Sequence, residues 1–269
     1  MDSYTIEMTD AGIGDLYQTQ AIDEFGKIRD VSLTTERPLT IYLDKREIVT
    51  LMTMGTHPEI LTLGYLKNQG LISAIEDINA VQVDWDVEAV AVTTTQQTEH
   101  IEPLIQKRTV TSGCGQGTMF GNVMEELDEL RIDCPEFDAE TIYSVLSGVV
   151  DFNQVYRKAG AVHGCALSTT TGDIEIFVED VGRHNAVDAI SGWMWLNGIS
   201  GEEKVFYTTG RLTSEMVIKV AQMKVPLLLS RSGMTEMGLD IARKIGIGMV
   251  ARAKGKHFLI FNGQEHFRS

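Results

Sequence analysis

From residue 161 to residue 261 the chain alternates short strand-like runs with helix-like ones, and that alternation leaves few folds open. Strands are predicted at 161–168, 174–178, 205–208, 226–230, 249–253 and 258–261, and helices at 185–196, 213–223 and 236–245. In the first of these helices Ala186, Ala189, Ile190 and Trp193 share a face, which lets it pack onto a sheet. After an opening pair of strands the order is βαβαβα. That order implies a layered α/β domain, with helices covering a mixed sheet.

The N-terminal part reads differently. Strand patterns at 39–43 and 47–52 flank a turn at Asp44, Lys45 and Arg46. Thr56, His57, Pro58 and Glu59 then have the form of a capping box with proline in the first helical turn, and Ile60, Leu63, Leu66 and Leu71 continue at helical spacing. Strand patterns return at 81–85 and 89–93. The expected organisation is therefore α/β overall, with a small α+β domain at residues 1–110 and the layered α/β domain at 111–269. Early in the second domain helices are predicted at 119–130 and 138–156, separated at Cys134 and Pro135, where proline forces a break.

Thr111, Ser112, Gly113, Cys114, Gly115, Gln116, Gly117 and Thr118 set one thiol among three glycines and three hydroxyl groups. Glycine tolerates bare backbone and positive φ, so a mobile loop is predicted, with its cysteine meant to be reached. A turn that merely contains Cys114 is the plainer reading. A thiolate is the nucleophilic form, and the dipole of a helix beginning near Met119 favours it. Position 117 is glycine, so no Cys-x-x-Cys pair is present; single-thiol covalent transfer fits better than dithiol redox chemistry. The chain's three cysteines stand at wide, irregular spacing, neither a disulfide framework nor a zinc knuckle.

In layered sheets ligands gather at the loops beyond the strand ends. Those loops here hold the glycines, arginines and hydroxyl residues, in segments 159–165, 179–185, 208–215, 230–236 and 252–257. Three of them set glycine and arginine beside a hydroxyl or amide residue at a helix start, where free N–H groups attract an anion. Arg211 with Ser214 makes a suitable phosphate pair, because a guanidinium holds two oxygens at once. On a strand His163 and Cys165 share a face, so Cys165 is expected to be buried, while His163, Asp180 and His184 can tune a nearby thiol. Arg183 belongs with them by loop position. A zinc site finds too few ligands in the right order, and none is expected.

The net charge of −15 argues against duplex nucleic acid or an anionic membrane as a partner. The charge is uneven: residues 203–269 carry 11 Lys and Arg against 5 Asp and Glu, whereas residues 1–202 carry 12 against 33. A cationic segment on an acidic protein suits a local anionic ligand such as a phosphate ester, and a solvated face without function accounts for it equally. The first twelve residues are polar and no apolar run is long enough to span a bilayer, so a soluble cytoplasmic protein is expected.

Glu179, Asp180, Val181, Gly182, Arg183, His184, Asn185, Ala186, Val187 and Asp188, followed by Thr209, Gly210, Arg211, Ser214, Glu215 and Met216, resemble the formate dehydrogenase accessory protein family, FdhD. The likeness runs from Glu36, Arg37, Pro38 and Leu39 to the C-terminal strands. It implies a sulfur carrier that accepts persulfide sulfur from a cysteine desulfurase and passes it to the molybdenum or tungsten of the bis(molybdopterin guanine dinucleotide) cofactor, which formate dehydrogenase then receives. It implies also a homodimer, and a second domain resembling the cytidine deaminase fold without its zinc chemistry. By the same resemblance Cys114 holds the persulfide, and Arg252, Ala253, Lys254, Gly255, Lys256 and His257 contact the dinucleotide. Many members carry Cys-x-x-Cys at the loop, and this chain departs from them at Gly117.

Overall fold

The computed structural model describes residues 5–14, 16–95 and 129–269. Two sheets dominate it. The N-terminal sheet has five strands in the order β1 (Glu7–Met8), β6 (Ile78–Asp84), β7 (Ala89–Thr94), β4 (Arg37–Leu43) and β5 (Arg46–Thr53). Its β4–β5 hairpin turns on Asp44 and Lys45, both at positive φ, 46° and 73°, the pair of left-handed residues that a two-residue turn needs to match strand twist. The Asp44 carboxylate accepts hydrogen bonds from the N–H and Oγ1 of Thr94, which pins this turn to the end of β7.

The C-terminal sheet has six strands in the order β10 (Ile174–Asp180), β9 (His163–Thr169), β11 (Lys204–Thr208), β12 (Leu227–Ser230), β13 (Gly248–Lys254) and β14 (His257–Asn262). β11, β12 and β13 run parallel, and the outer pairs are antiparallel, so the expected mixed sheet forms. Its two faces carry separate layers. Phe206, Leu228 and Met249 face α4 (Arg183–Leu196), α5 (Ser214–Gln222) and α6 (Glu236–Ile245), in a core that continues into the N-terminal sheet through Leu39, Ile41 and Val92. Val205, Tyr207, Leu227 and Val250 face α2 (Ala139–Phe152), packing on its Ile142, Val145 and Val149.

α1 (Pro58–Asn68) links the two sheets by crossing α4 at backbone contact. A Cβ added at Gly64 would stand 1.7 Å from the Asp188 carbonyl oxygen, and one at Gly192 would stand 1.9 Å from that of Ile60. No side chain fits at either place. Beneath the crossing lies a buried polar knot. Lys219 Nζ donates to both Asp188 oxygens at 2.8 and 2.6 Å, Asn68 Nδ2 donates to Asp188 Oδ1 at 2.7 Å, and Ser191 Oγ donates to Asn68 Oδ1 at 3.0 Å.

Several sequence expectations change. Residues 138–156 form two helices, because Asn153 leaves helical geometry (φ −70°, ψ 57°) and its Nδ2 donates back to Val149; α3 (Gln154–Ala159) follows. The capping box does not form: His57 is the N-cap of α1, and Glu59 instead accepts from Thr9 Oγ1 and Ala11 N–H, holding the N-terminal segment. Helix α4 starts two residues earlier than predicted. A hairpin of β2 (Tyr17–Ile22) and β3 (Ile28–Leu33) and a small pair of β8 (Phe137–Asp138) with β15 (Phe267–Arg268) were not predicted. The expected domain boundary near residue 110, the cysteine loop and the helix expected at 119–130 lie outside the described residues, apart from residues 129 and 130. No helix among the described residues is long and apolar enough to cross a membrane.

Candidate functional site at one rim of the C-terminal sheet

The five glycine-bearing loops meet along one rim, beyond the C-terminal ends of β10 to β13 and at the start of β9. Backbone hydrogen bonds stitch them together. Thr209 N–H donates to the Gly164 carbonyl at 2.9 Å, Arg231 N–H to that of Thr208 at 3.1 Å, and Arg252 N–H to that of Ser232 at 2.9 Å. Ser230 Oγ donates to the Gly210 carbonyl at 2.7 Å. The rim is thus one continuous surface, and the sequence-predicted loops line it.

The stretch from Glu179 to Asp188 mostly builds this rim. Glu179 accepts from the N–H groups of Val155 and Tyr156, both at 2.9 Å, and so caps α3 from the neighbouring strand. Asp180, 3 % exposed, accepts from Thr53 Oγ1 at 2.5 Å, Met54 N–H at 3.1 Å, Gly182 N–H at 2.9 Å and Asn185 Nδ2 at 2.7 Å. Burial raises its pKa, and the four hydrogen bonds oppose that rise. Asn185 Nδ2 also donates to the Met52 carbonyl at 2.7 Å. Asp180 and Asn185 therefore clasp the two sheets together.

Two residues of the same stretch stay open. Arg183 is 7 % exposed, and its Nε has no hydrogen-bond partner. Its side chain lies over Gly210, where an added Cβ would come 2.8 Å from Arg183 Cδ, which explains glycine at that position. His184 is 5 % exposed; its Nε2 stands 3.2 Å from Glu215 Oε2 without hydrogen-bond alignment. Burial, with Lys219, Arg183 and His163 adding to it, lowers the His184 pKa to about 3, so the ring is neutral at pH 7. His163, at the start of β9, is lowered by burial and by the charges of Arg183 and Arg211. Arg211 is exposed, Ser214 is the first residue of α5, and the Oγ1 of its N-cap Thr213 is buried without a partner.

On the opposite face of the sheet α2 bounds a cavity of about 850 Å³. Ala253, Lys254, Gly255 and Lys256 line it together with Arg231, Tyr143 and Tyr207, and Glu140 and Asp173 face the same space. Arg252 and His257 flank this segment without lining the cavity, and none of His163, Asp180, Arg183, His184, Arg211 or Ser214 reaches it. Arg252 takes φ +53° at an irregularity in the β13–β14 pairing, and Gly255 takes φ +60° in the turn. Tyr143 Oη donates to the Lys256 carbonyl at 3.2 Å, fixing the turn to α2. Tyr207 is fully buried and its hydroxyl has no partner. Burial pushes its phenol up to about 12 against the pull of Arg231, so it stays protonated where it lines the cavity.

The described cysteines are chemically quiet. Cys165 is fully buried, its thiol donates to Thr208 Oγ1 at 3.2 Å, and burial raises its pKa to about 12. Cys134 is buried against Gly248, where an added Cβ would stand 2.5 Å from the sulfur, and burial raises its pKa to about 11. Neither forms a thiolate at neutral pH. Sequence reasoning missed Tyr207, whose position inside an apolar strand gives no sign of an open hydroxyl. It also read His57 only as a helix-start residue; burial lowers its pKa against the charges of Glu59 and Asp180.

The FdhD/NarQ family model matches residues 34–268, nearly the whole chain. The chain belongs to the FdhD/NarQ family. Among its FdhD relatives, the sulfur carrier protein FdhD of Wolinella succinogenes is 30 % identical over 235 residues, which cover 86 % of this chain and 80 % of that protein. The sulfur carrier protein FdhD of Bacillus subtilis is 28 % identical over 250 residues, 91 % of this chain and 93 % of that protein. The crystal structure of a formate dehydrogenase accessory protein from Desulfotalea psychrophila superposes with a TM-score of 0.74 at 26 % identity, covering 94 % of this chain and 99 % of that one. The mixed α/β architecture is thus that of a solved FdhD-type protein.

Proposed function

We propose that this chain is a sulfur carrier that takes persulfide sulfur from a cysteine desulfurase onto Cys114 and passes it to the bis(molybdopterin guanine dinucleotide) cofactor destined for formate dehydrogenase, acting in the cytoplasm as a homodimer. The observation that carries this reading is the state of the other two thiols. With Cys134 and Cys165 buried and protonated, Cys114 is the one cysteine of the chain left to act as nucleophile.

In the first step the Cys114 thiolate attacks the outer sulfur of the donor persulfide. One S–S bond forms, the other breaks, and the donor cysteine leaves as a thiolate, so no electrons are gained or lost overall. Delivery of that sulfur to the metal as sulfide breaks the Cys114 S–S bond and leaves the Cys114 sulfur two electrons short. A second thiol must supply the pair by forming a disulfide with Cys114. Gly117 removes the neighbour that a Cys-x-x-Cys loop would offer, so that thiol comes from outside the chain.

The cofactor is cargo here, and the cavity beside α2 suits its dinucleotide part. Lys254, Lys256 and Arg231 supply positive charge for a pyrophosphate, the Tyr207 hydroxyl lies in the lining without a partner, and about 850 Å³ lies toward the upper end of the roughly 300–1,000 Å³ usual for ligand cavities. Cys114→Ser abolishes maturation of a formate dehydrogenase under this reading while leaving the fold intact. Gly117 motivates a second reading, a cofactor-binding chaperone that performs no chemistry. It requires normal maturation by Cys114→Ser and loss of maturation when Arg252→Ala and Lys254→Ala are combined.

A further inference from the structure

The β2–β3 hairpin stands apart from both large sheets as a sheet of two strands. Its tip is closed locally: Asp23 accepts from the N–H groups of Phe25 and Lys27 at 3.0 and 2.9 Å, and Asp23 N–H donates to the Lys27 carbonyl at 3.0 Å. A two-stranded ribbon gains little stability from its own contacts and needs a further strand or a packed face. On one side this chain supplies it. α3 packs beside β3, and Thr34 Oγ1, just past β3, donates to the Gly160 carbonyl at 2.8 Å. Among the described residues no strand pairs with the outer side of β2.

The closing bond between Asp23 and Lys27 sets where the backbone groups point. Hydrogen-bonded pairs alternate along an antiparallel ladder, so Tyr17, Thr19 and Ala21 turn their N–H and C=O groups to β3, and Gln18, Gln20 and Ile22 turn theirs outward. Edge strands are ordinarily guarded by charge, proline or a bulge. Tyr17–Ile22 has none of these, reading Tyr, Gln, Thr, Gln, Ala, Ile in unbroken register with β3, whereas β3 carries Arg29 and Asp30. The chain's net charge of −15 sets two copies against each other in general. Along the uncharged β2 that repulsion is weakest.

The side chains fit self-pairing as well. A strand that meets its own copy about a two-fold axis perpendicular to the sheet pairs antiparallel and keeps each face on its own side. With Thr19 at the axis, Tyr17 stands opposite Ala21 of the second copy, and the face of Tyr17, Thr19, Ala21, Val31 and Leu33 runs on across both ribbons. Arg29, on the same face, is tied to Asp23. The other face closes its own polar groups, Gln20 Nε2 donating to Asp30 Oδ1 at 2.9 Å and Ser32 Oγ to Gln18 Oε1 at 3.0 Å. Tyr17, Ile22, Phe25 and Ile28 are 61 %, 73 %, 77 % and 67 % exposed. Side chains of this size, about 150–250 Å² for an aromatic, give the ribbon much of the roughly 800 Å² that a standard interface takes from each partner. We infer that two copies of this chain join by antiparallel pairing of their β2 strands, making one four-stranded sheet in the order β3-β2-β2-β3. The inference rests on the homodimer named with the sulfur-carrier reading and gives that dimer its seam.

Sedimentation equilibrium of the full chain tests it. The wild type is expected to be a dimer, and Gln18→Lys with Gln20→Lys, which sets like charges opposite one another across the seam, is expected to raise the dimer dissociation constant at least tenfold. Thr19→Cys, made together with Cys114→Ser, is expected to give a disulfide-linked dimer on mild oxidation, because a residue on a two-fold axis faces its own copy. A monomeric wild type, a lysine variant as tightly dimeric as the wild type, or no covalent dimer from Thr19→Cys overturns the seam. A lysine variant that stays dimeric yet takes up no sulfur from a cysteine desulfurase assigns the strand to that partner and overturns it too. Should the lysine variant not fold, Gln20→Pro, which removes one outward N–H, takes its place, with the same loss expected and an undiminished dimer contradicting the inference. A failed sulfur-carrier reading shows elsewhere, as no sulfur gained by Cys114 while the dimer stands.

Discussion

Lys219 and Lys254 carry the same charge in the same domain and do opposite work. Lys219 is fully buried, with both oxygens of Asp188 within 2.8 Å and Asn68 closing the knot from the end of α1. Lys254 stands exposed beside a cavity that also receives Arg231, Lys256 and the unpartnered Tyr207 hydroxyl. The first region has closed its polar ledger and serves architecture; the second leaves donors open and serves a ligand. The distinction cuts across the family-specific stretch itself, where Glu179, Asp180, Asn185 and Asp188 are satisfied within the fold and Arg183 and His184 keep unpartnered nitrogens.

The sharpest way to break this contrast is at the closed end. Asp188→Ala strands Lys219 in the core and should cost about 3–5 kcal/mol, the usual penalty for removing one partner of a buried pair; a urea midpoint unchanged from wild type would contradict the architectural role. Gly64→Ala forces a methyl group into the Asp188 carbonyl and should cost about 1–3 kcal/mol or more by overpacking. Thermal melting checks it, with Gly70→Ala, which is at positive φ with open space around it, as the comparison for backbone strain without a clash.

His184, within reach of the Lys219 charge, gives a pH signature. Its folded pKa of about 3 lies below the ordinary 6.5, so the unfolded chain binds the extra proton and stability falls as pH drops through 6.5 toward 3. The expected slope from this group is about 1.4 kcal/mol per pH unit between pH 6 and 4. Asp180 acts in the opposite sense, since its raised folded pKa favours proton uptake by the native state. In His184→Asn the acid-side loss should therefore shrink, and an identical pH profile would remove His184 from the balance. At the open end, Lys254→Ala with Lys256→Ala should change stability by less than about 0.5 kcal/mol, as for exposed groups without partners, while weakening guanosine diphosphate at least tenfold. Equal nucleotide affinity would show that the cavity is not the nucleotide site.

Much of the C-terminal sheet was legible in sequence because β11, β12 and β13 are buried on both faces and read as compact apolar runs. Helix α6 was legible to the residue, its Thr235 cap and Gly246 stop both working locally. The β2–β3 hairpin was not, since most of its residues are exposed and no buried face imposes alternation. The rim was found through its glycines and arginines, but its division of labour was hidden. Asp180 is satisfied by Thr53 and Met54, and Asp188 by Asn68 and Lys219, partners far away in sequence. Glu59 has the spacing of a local cap and serves Thr9 and Ala11 instead. Local spacing cannot report which distant group arrives first.

Sulfur carriage by Cys114 is tested most directly by intact-mass analysis after incubation with a cysteine desulfurase and cysteine, comparing wild type, Cys114→Ser and the double variant Cys134→Ser, Cys165→Ser. The predicted result is a gain of one sulfur atom in the wild type and the double variant and none in Cys114→Ser. Sulfur gained by Cys114→Ser, or no gain in the wild type while guanosine diphosphate still binds, would contradict it.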